Sequence, residues 1–129
     1  MLAASVPCVL VVDDEAVVRR LVCAILERAG FAVLDADSGA EALNVFQQHR
    51  SVINLLLTDI IMPGMAGTEL VENIRKIDTS IHVLFMSAFC DRLDPRMGQF
   101  GSIAKPFTNT ELIRTIQTVL DKAARAGTA

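Results

Sequence analysis

The chain has 129 residues, 52% hydrophobic and 21% charged, with a formal net charge of -3. That length suits a single domain, and the composition supplies ample apolar surface for a core. Its 12 basic residues are scattered, with only Arg19-Arg20 and Arg75-Lys76 adjacent, and Trp and Tyr are absent, so no direct nucleic-acid footprint or base-stacking platform is expected.

The chain opens on an apolar stretch, Met1 to Val12, that ends in Asp13-Asp14-Glu15 and lacks a basic leader. It reads as the approach to a strand rather than as a signal peptide. Cys8–Val12 is a continuous β-rich run of the kind buried on both faces of a parallel sheet. Val18, Leu21, Val22, Ile25 and Ala29 then repeat at helical spacing and stop at Gly30, a plausible residue for the end of a helix. Phe31–Leu34 is a second strand. Ser38-x-x-Glu41 is a capping box opening a helix that runs to about Gln48.

Ile53–Thr58 makes a third strand, followed by a loop with Pro63, Gly64 and Gly67 and a helix turning Leu70, Val71, Ile74 and Ile77 inward. Ile81–Met86 is a fourth strand. Pro95, Gly98 and Gly101 then shorten any helix over residues 91–101. Ser102–Ala104 is a short fifth strand, and Thr108-x-x-Glu111 caps a last helix with Leu112, Ile113, Ile116, Val119 and Leu120 on its buried stripe. Residues 1–6 and 124–129 are expected to be tails, the second one frayed.

Strand–helix alternation repeated five times implies an α/β fold, (βα)5, with a parallel sheet and right-handed crossovers. No run is long enough to span a membrane. Cys8, Cys23 and Cys90 are an odd number without metal-ligand spacing, so a reducing cytoplasmic compartment is expected, with Cys8 and Cys23 as small core residues. His49 in a polar helix end and His82 at the start of a strand are expected to face solvent.

The polar residues that follow the strands carry the chemistry. Asp13 and Asp14 follow strand 1, Asp59 strand 3, Ser87 strand 4 and Lys105 strand 5. Sites in open parallel sheets form outside the carboxyl ends of the strands, where strand order reverses. With order 2-1-3-4-5 the three carboxylates converge between strands 1 and 3, with the Lys and the hydroxyl beyond. Crowded carboxylates repel unless a cation sits among them, and an all-oxygen donor set suits Mg²⁺. A lone ammonium opposite suits a phosphoryl oxygen. Each residue has a plainer reading on its own: an acidic pair at a helix start, a turn Asp, a hydroxyl bonded to backbone. Their joint spacing favours phosphoryl transfer to an Asp.

The segments V-V-D-D-E (11–15), L-T-D-I-I-M-P-G-M-A-G (57–67), M-S-A (86–88) and K-P-F (105–107) together resemble those of response-regulator receiver domains of two-component systems. The resemblance covers about residues 7–123. It implies a flavodoxin-like, doubly wound five-stranded sheet of order 2-1-3-4-5. Asp59 becomes the phosphoacceptor, with Lys105 and Ser87 as its catalytic partners. Asp13, Asp14 and Asp59 with the backbone carbonyl of Ile61 become Mg²⁺ ligands, and Ser87, Ala88 and Lys105 contact the phosphoryl group. Gly67 matches the loop glycine after strand 3, and Pro106 would take a cis bond. The implied partners are a sensor histidine kinase or a histidine phosphotransfer protein and a downstream protein. The chain is expected to be a monomer or weak dimer, and no enzyme beyond its own phosphorylation and dephosphorylation.

The pattern departs from the family in two places. Ser102 stands where the switch aromatic is usual, with Phe100 two residues earlier, and the stretch from Ser87 to Lys105 is short by about one helical turn. A stunted or irregular helix between strands 4 and 5, and an unusual output surface, are therefore expected. Ile61 and Phe89 would flank the path of attacking water with apolar groups, which implies slow self-dephosphorylation. Two rivals differ in residues: aspartyl phosphohydrolases typically carry a second Asp two positions after the first, where this chain has Ile61, and pseudo-receivers typically lose the Asp, Lys or acidic pair, all kept here. No G-x-G-x-x-G or Walker A segment supports a cofactor-binding reading.

Overall fold

The structure, a computed structural model, describes residues 6–88 and 99–127, with side chains through residue 122. In chain order the elements are β1 (Cys8–Val12), α1 (Ala16–Arg28), β2 (Ala32–Ala36), α2 (Gly39–His49), β3 (Ile53–Asp59), α3 (Gly67–Ile77), β4 (His82–Ser87), β5 (Gly101–Ala104) and α4 (Asn109–Gly127). The strands form one parallel sheet of order β2-β1-β3-β4-β5. The expected helix between strands 4 and 5, with Pro95 and Gly98, lies outside the described residues, as do Phe89 and Cys90. The last helix runs to Gly127, through much of the stretch expected to fray.

Both faces of the sheet are covered, which is why its central strands are apolar without alternation. Leu10, Val12 and Leu56 turn to one face, where Ala42 and Phe46 of α2 and Leu70, Val71 and Ile74 of α3 cover them. Val9, Val11, Leu55, Leu57, Leu84 and Met86 turn to the other, under Val22, Ile25 and Leu26 of α1 and Leu112 and Ile116 of α4. The pairing of β1 with β3 slips between Cys8 and Val9. There the Asn54 side chain accepts the Cys8 amide at 2.8 Å.

The local signals act where the sequence places them, with a few shifts. Gly30, at φ +99°, ends α1: its amide donates to the Glu27 carbonyl and the Phe31 amide to that of Leu26. This is the double-bonded left-handed cap that glycine adopts without strain. The buried stripe of α1 is rotated from the one expected. Leu26 is fully buried, whereas Leu21 is 59% exposed and Ala29 lies on the surface, because a helix turning about 100° per residue has room for only one such stripe. Ser38 caps α2 by accepting the Glu41 amide at 3.1 Å, but the Glu41 carboxylate reaches back to the amide of Asp37 rather than to that of Ser38. Thr108 accepts the Glu111 amide at 3.1 Å at the start of α4. Cys8 is buried in β1 and Cys23 half-buried on α1. Among the described residues no helix is long and apolar enough to cross a membrane.

Candidate functional site

Every strand that borders the β1/β3 switch point delivers a polar residue there. β1 stops at Val12 and hands the chain to Asp13, whose amide still donates to the Ala36 carbonyl of β2 at 3.2 Å. β3 ends on Asp59, in register with Met86, so Ser87 is the next residue along the neighbouring strand end. The Lys105 amide donates to the Ser87 carbonyl at 2.7 Å, which brings the residue after β5 back beside β4. Lys105-Pro106 is cis, as the resemblance implies.

The three carboxylates and Lys105 come together. Asp13 is fully buried, Asp59 is 7% exposed and Asp14 lies on the surface. One oxygen of each carboxylate lies within 4.8 Å of the others. Lys105 Nζ donates to Asp59 Oδ1 at 2.5 Å and to Asp13 Oδ2 at 3.2 Å. Asp13 Oδ1 is held separately by the Glu15 amide at 2.9 Å. Ser87 is half-buried, and the Ile61 side chain is 66% exposed at the start of the loop to α3.

Burial pushes the Asp59 carboxyl up to about 7, aided by the neighbouring Asp13 carboxylate and opposed by Lys105. Lys105 is itself pulled toward the neutral form by burial, but its bonds to Asp59 and Asp13 more than offset this and raise it above the ordinary lysine value. Three carboxylates against one ammonium leave an excess of negative charge in a poorly solvated pocket. An all-oxygen donor set with that excess fits a small hard dication such as Mg²⁺.

The loop after β3 is framed by backbone. The Ile60 amide donates to the Met86 carbonyl at 3.3 Å, and the Ile60 carbonyl accepts from the Gly67 amide at 2.7 Å. Gly67 starts α3 directly against the acceptor strand, where a Cβ would fall on the Asp59 carbonyl group. Lack of room, not of backbone freedom, requires glycine here.

Two arrangements, one at the site and one toward the amino ends of β4 and β5, are not legible in the sequence. Arg19 Nη1 donates to the Asp13 carbonyl at 2.8 Å while its Nε donates to Asp35 Oδ2 at 3.0 Å. Phe100 stands edge-on to Phe85 with ring centres 6.3 Å apart, with Arg75 over its ring at 5.2 Å. Ser102 is exposed on β5. His49 is exposed, whereas His82 is half-buried, at the opposite end of β4 from Ser87.

Residues 9–117 match the family model of the response regulator receiver domain. The chain is 33% identical over 118 residues to the response regulator receiver protein CpdR of Brucella abortus, covering 87% of this chain and 95% of that protein. It is 32% identical to the sensor kinase CckA of the same organism, covering 88% of this chain and 12% of the kinase. It is also 34% identical to a probable transcriptional regulator, ycf27, of Guillardia theta, covering 92% of this chain and 47% of that protein. The chain thus spans about half or less of the length of most of these curated relatives. Its fold superposes on a receiver domain protein of Clostridium thermocellum with a TM-score of 0.85, 27% identity, and coverage of 94% and 99% of the two chains. The receiver domain of the hybrid histidine kinase CckA gives a TM-score of 0.76 at 28% identity, with coverage of 88% and 98%. This chain belongs to the response regulator receiver domain family.

Proposed function

We propose that this domain accepts a phosphoryl group on Asp59 from a phosphohistidine on a sensor kinase or a phosphotransfer protein, and that the modified domain signals to a downstream protein. The observation that carries the reading is the buried Asp59 carboxylate, bonded to Lys105 and placed with Asp13 and Asp14 around one point. An oxygen of Asp59 attacks phosphorus in line as the bond to the donor imidazole nitrogen breaks, and the nitrogen leaves with the electron pair. Mg²⁺, held by Asp13, Asp14, Asp59 and the Ile61 carbonyl, would neutralise charge on the phosphoryl oxygens. Lys105 supplies a second positive charge, and the Ser87 hydroxyl and Ala88 amide would bond the transferred group. The domain turns over no separate substrate, acts in the cytoplasm, and works as a monomer or weak dimer.

Incubation with acetyl phosphate and Mg²⁺, followed by intact mass, tests this reading. One phosphoryl adduct is expected on the native chain and none on Asp59→Asn. No adduct on the native chain would instead indicate an interaction module that works without phosphate.

The adduct is expected to last for minutes or longer at neutral pH. Ile61, exposed and apolar beside the acceptor, has no group to orient an attacking water. Ile61→Asn is expected to shorten the lifetime several-fold in a phosphate-release assay, and loss within seconds on the native chain would contradict the account.

A further inference from the structure

We infer that Arg19 is a positioning residue for the divalent-cation site, acting through the peptide plane that joins Asp13 to Asp14. The inference rests on the reading of Asp13 and Asp14 as Mg²⁺ ligands. Asp13 lies just beyond the last residue of β1, and each of its polar groups is nevertheless held. Its amide donates to Ala36, its Oδ1 accepts from the Glu15 amide and its Oδ2 from Lys105. Its carbonyl accepts from Arg19 Nη1 at 2.8 Å. Arg19 is in turn aimed by Asp35 on β2, through Nε at 3.0 Å, and its side chain is only 15% exposed.

The carbonyl bond matters because a peptide group is planar. The Asp13 oxygen, the Asp14 nitrogen and the Asp14 Cα share one plane, so fixing that oxygen fixes the N–Cα axis of Asp14 and leaves only rotation about that axis to aim its side chain. Asp14 is the exposed member of the acidic trio, and Mg²⁺ tolerates little departure from octahedral geometry. A surface ion pair between Arg19 and Asp35 alone would contribute little. A planar fork that grips a carbonyl and a carboxylate together is a geometric constraint that a lysine cannot reproduce.

A competing effect has the opposite sign. A guanidinium near the site repels a dication, so if charge were all that mattered, removing Arg19 would tighten Mg²⁺ binding. Titration calorimetry with MgCl₂ on the native chain, Arg19→Gln, Arg19→Lys and the double variant Arg19→Gln/Asp35→Asn separates the two, with Asp14→Asn as the control for where the ion binds. Partners that orient metal ligands typically contribute 10–100-fold in affinity, and a loss of about tenfold is expected for Arg19→Gln. The same loss is expected for the double variant, whose net charge equals that of the native chain, and a smaller one for Arg19→Lys. The rate of phosphorylation by acetyl phosphate is expected to recover at saturating Mg²⁺, which a damaged fold would not allow. Unchanged or tighter Mg²⁺ binding by Arg19→Gln and Arg19→Lys overturns the inference while leaving the cation site intact. Failure of the native chain to bind Mg²⁺ in a manner that Asp14→Asn removes overturns the site reading itself, and the inference with it.

Discussion

Gly67→Ala is expected to lower the folding stability by about 3 kcal/mol or more, read as a fall in the urea midpoint at unchanged slope. An added Cβ would lie 2.9 Å from the Asp59 carbonyl carbon and 3.1 Å from Ile60 Cα, and closer still to the Asp59 carbonyl oxygen. All of these are backbone atoms, so no side chain can swing aside to make room. Either α3 lifts from the sheet, which opens the contacts of Leu70, Val71 and Ile74, or the end of β3 shifts and carries the acceptor with it. The 2.7 Å bond from the Gly67 amide to the Ile60 carbonyl is strained in both cases. The contrast with Gly39 is instructive. A Cβ there would meet the Met65 side chain, with its sulfur at 2.7 Å, its Cβ at 2.8 Å and its Cγ at 2.9 Å; the thioether can repack, but the Met65 Cβ yields only if the loop that carries it shifts. A loop shifts more readily than a strand end buried in the sheet, so Gly39→Ala is expected to cost less than Gly67→Ala, and equal losses at the two positions would refute the explanation.

In the absence of divalent cations, the stability of the native chain is expected to fall as pH rises from about 4 to about 7. In the unfolded chain Asp59 loses its proton near the ordinary value of 3.8, whereas in the folded chain burial holds it until about 7. Between those values the folded state binds more protons than the unfolded one, so stability decreases with pH. One pK unit corresponds to about 1.4 kcal/mol, which sets the effect on the order of a few kcal/mol, with the opposing bond to Lys105 already included in the value near 7. Asp59→Asn is expected to flatten this window and to stabilise the metal-free domain above pH 7. Lys105 acts in the same direction but in a higher window: raised by its bonds to Asp59 and Asp13 against the effect of burial, it contributes stability that is lost only as pH rises through its folded-state value. Added Mg²⁺ is expected to reverse the loss near pH 7, because binding to the folded state alone stabilises it by mass action. Thermal midpoints measured from pH 4 to 8, with and without 10-fold excess over the Mg²⁺ dissociation constant, check the signs for Asp59 and for Mg²⁺. A midpoint for Asp59→Asn that follows the native chain across the whole range would rule out Asp59 as the source.

Most of the sheet was legible along the chain because its strands are short apolar runs bounded by Gly, Pro and acidic residues, and such runs are consistent with strands buried on both faces. β1 came out at its predicted bounds, Cys8–Val12. Others shifted by a residue or two at their ends, as β2 did from Phe31–Leu34 to Ala32–Ala36, since end positions depend on register with a neighbour rather than on local preference. The buried stripe of α1 departs from the apolar spacing at Leu21 and Ala29 for a related reason. Several apolar positions fit one helical period, and only the sheet beneath selects which of them it covers.

The convergence of Asp13, Asp14, Asp59 and Lys105 was determined by the sequence itself: strand-end residues at a chain reversal meet whenever the strands form a parallel sheet in this order. What only the tertiary structure decided is how that group is held. Arg19 is one of 12 scattered basic residues in the sequence, and nothing in its spacing points to a carbonyl in β1's continuation or to Asp35 on β2. The same holds for Arg75 and Phe85, which meet Phe100 only because α3, β4 and the entry to β5 pack side by side. Residue identity and order along the chain fix which groups reach the strand ends. Bonds between residues distant in sequence depend on the angles at which helices settle on the sheet, and those angles follow from the packing of the whole core.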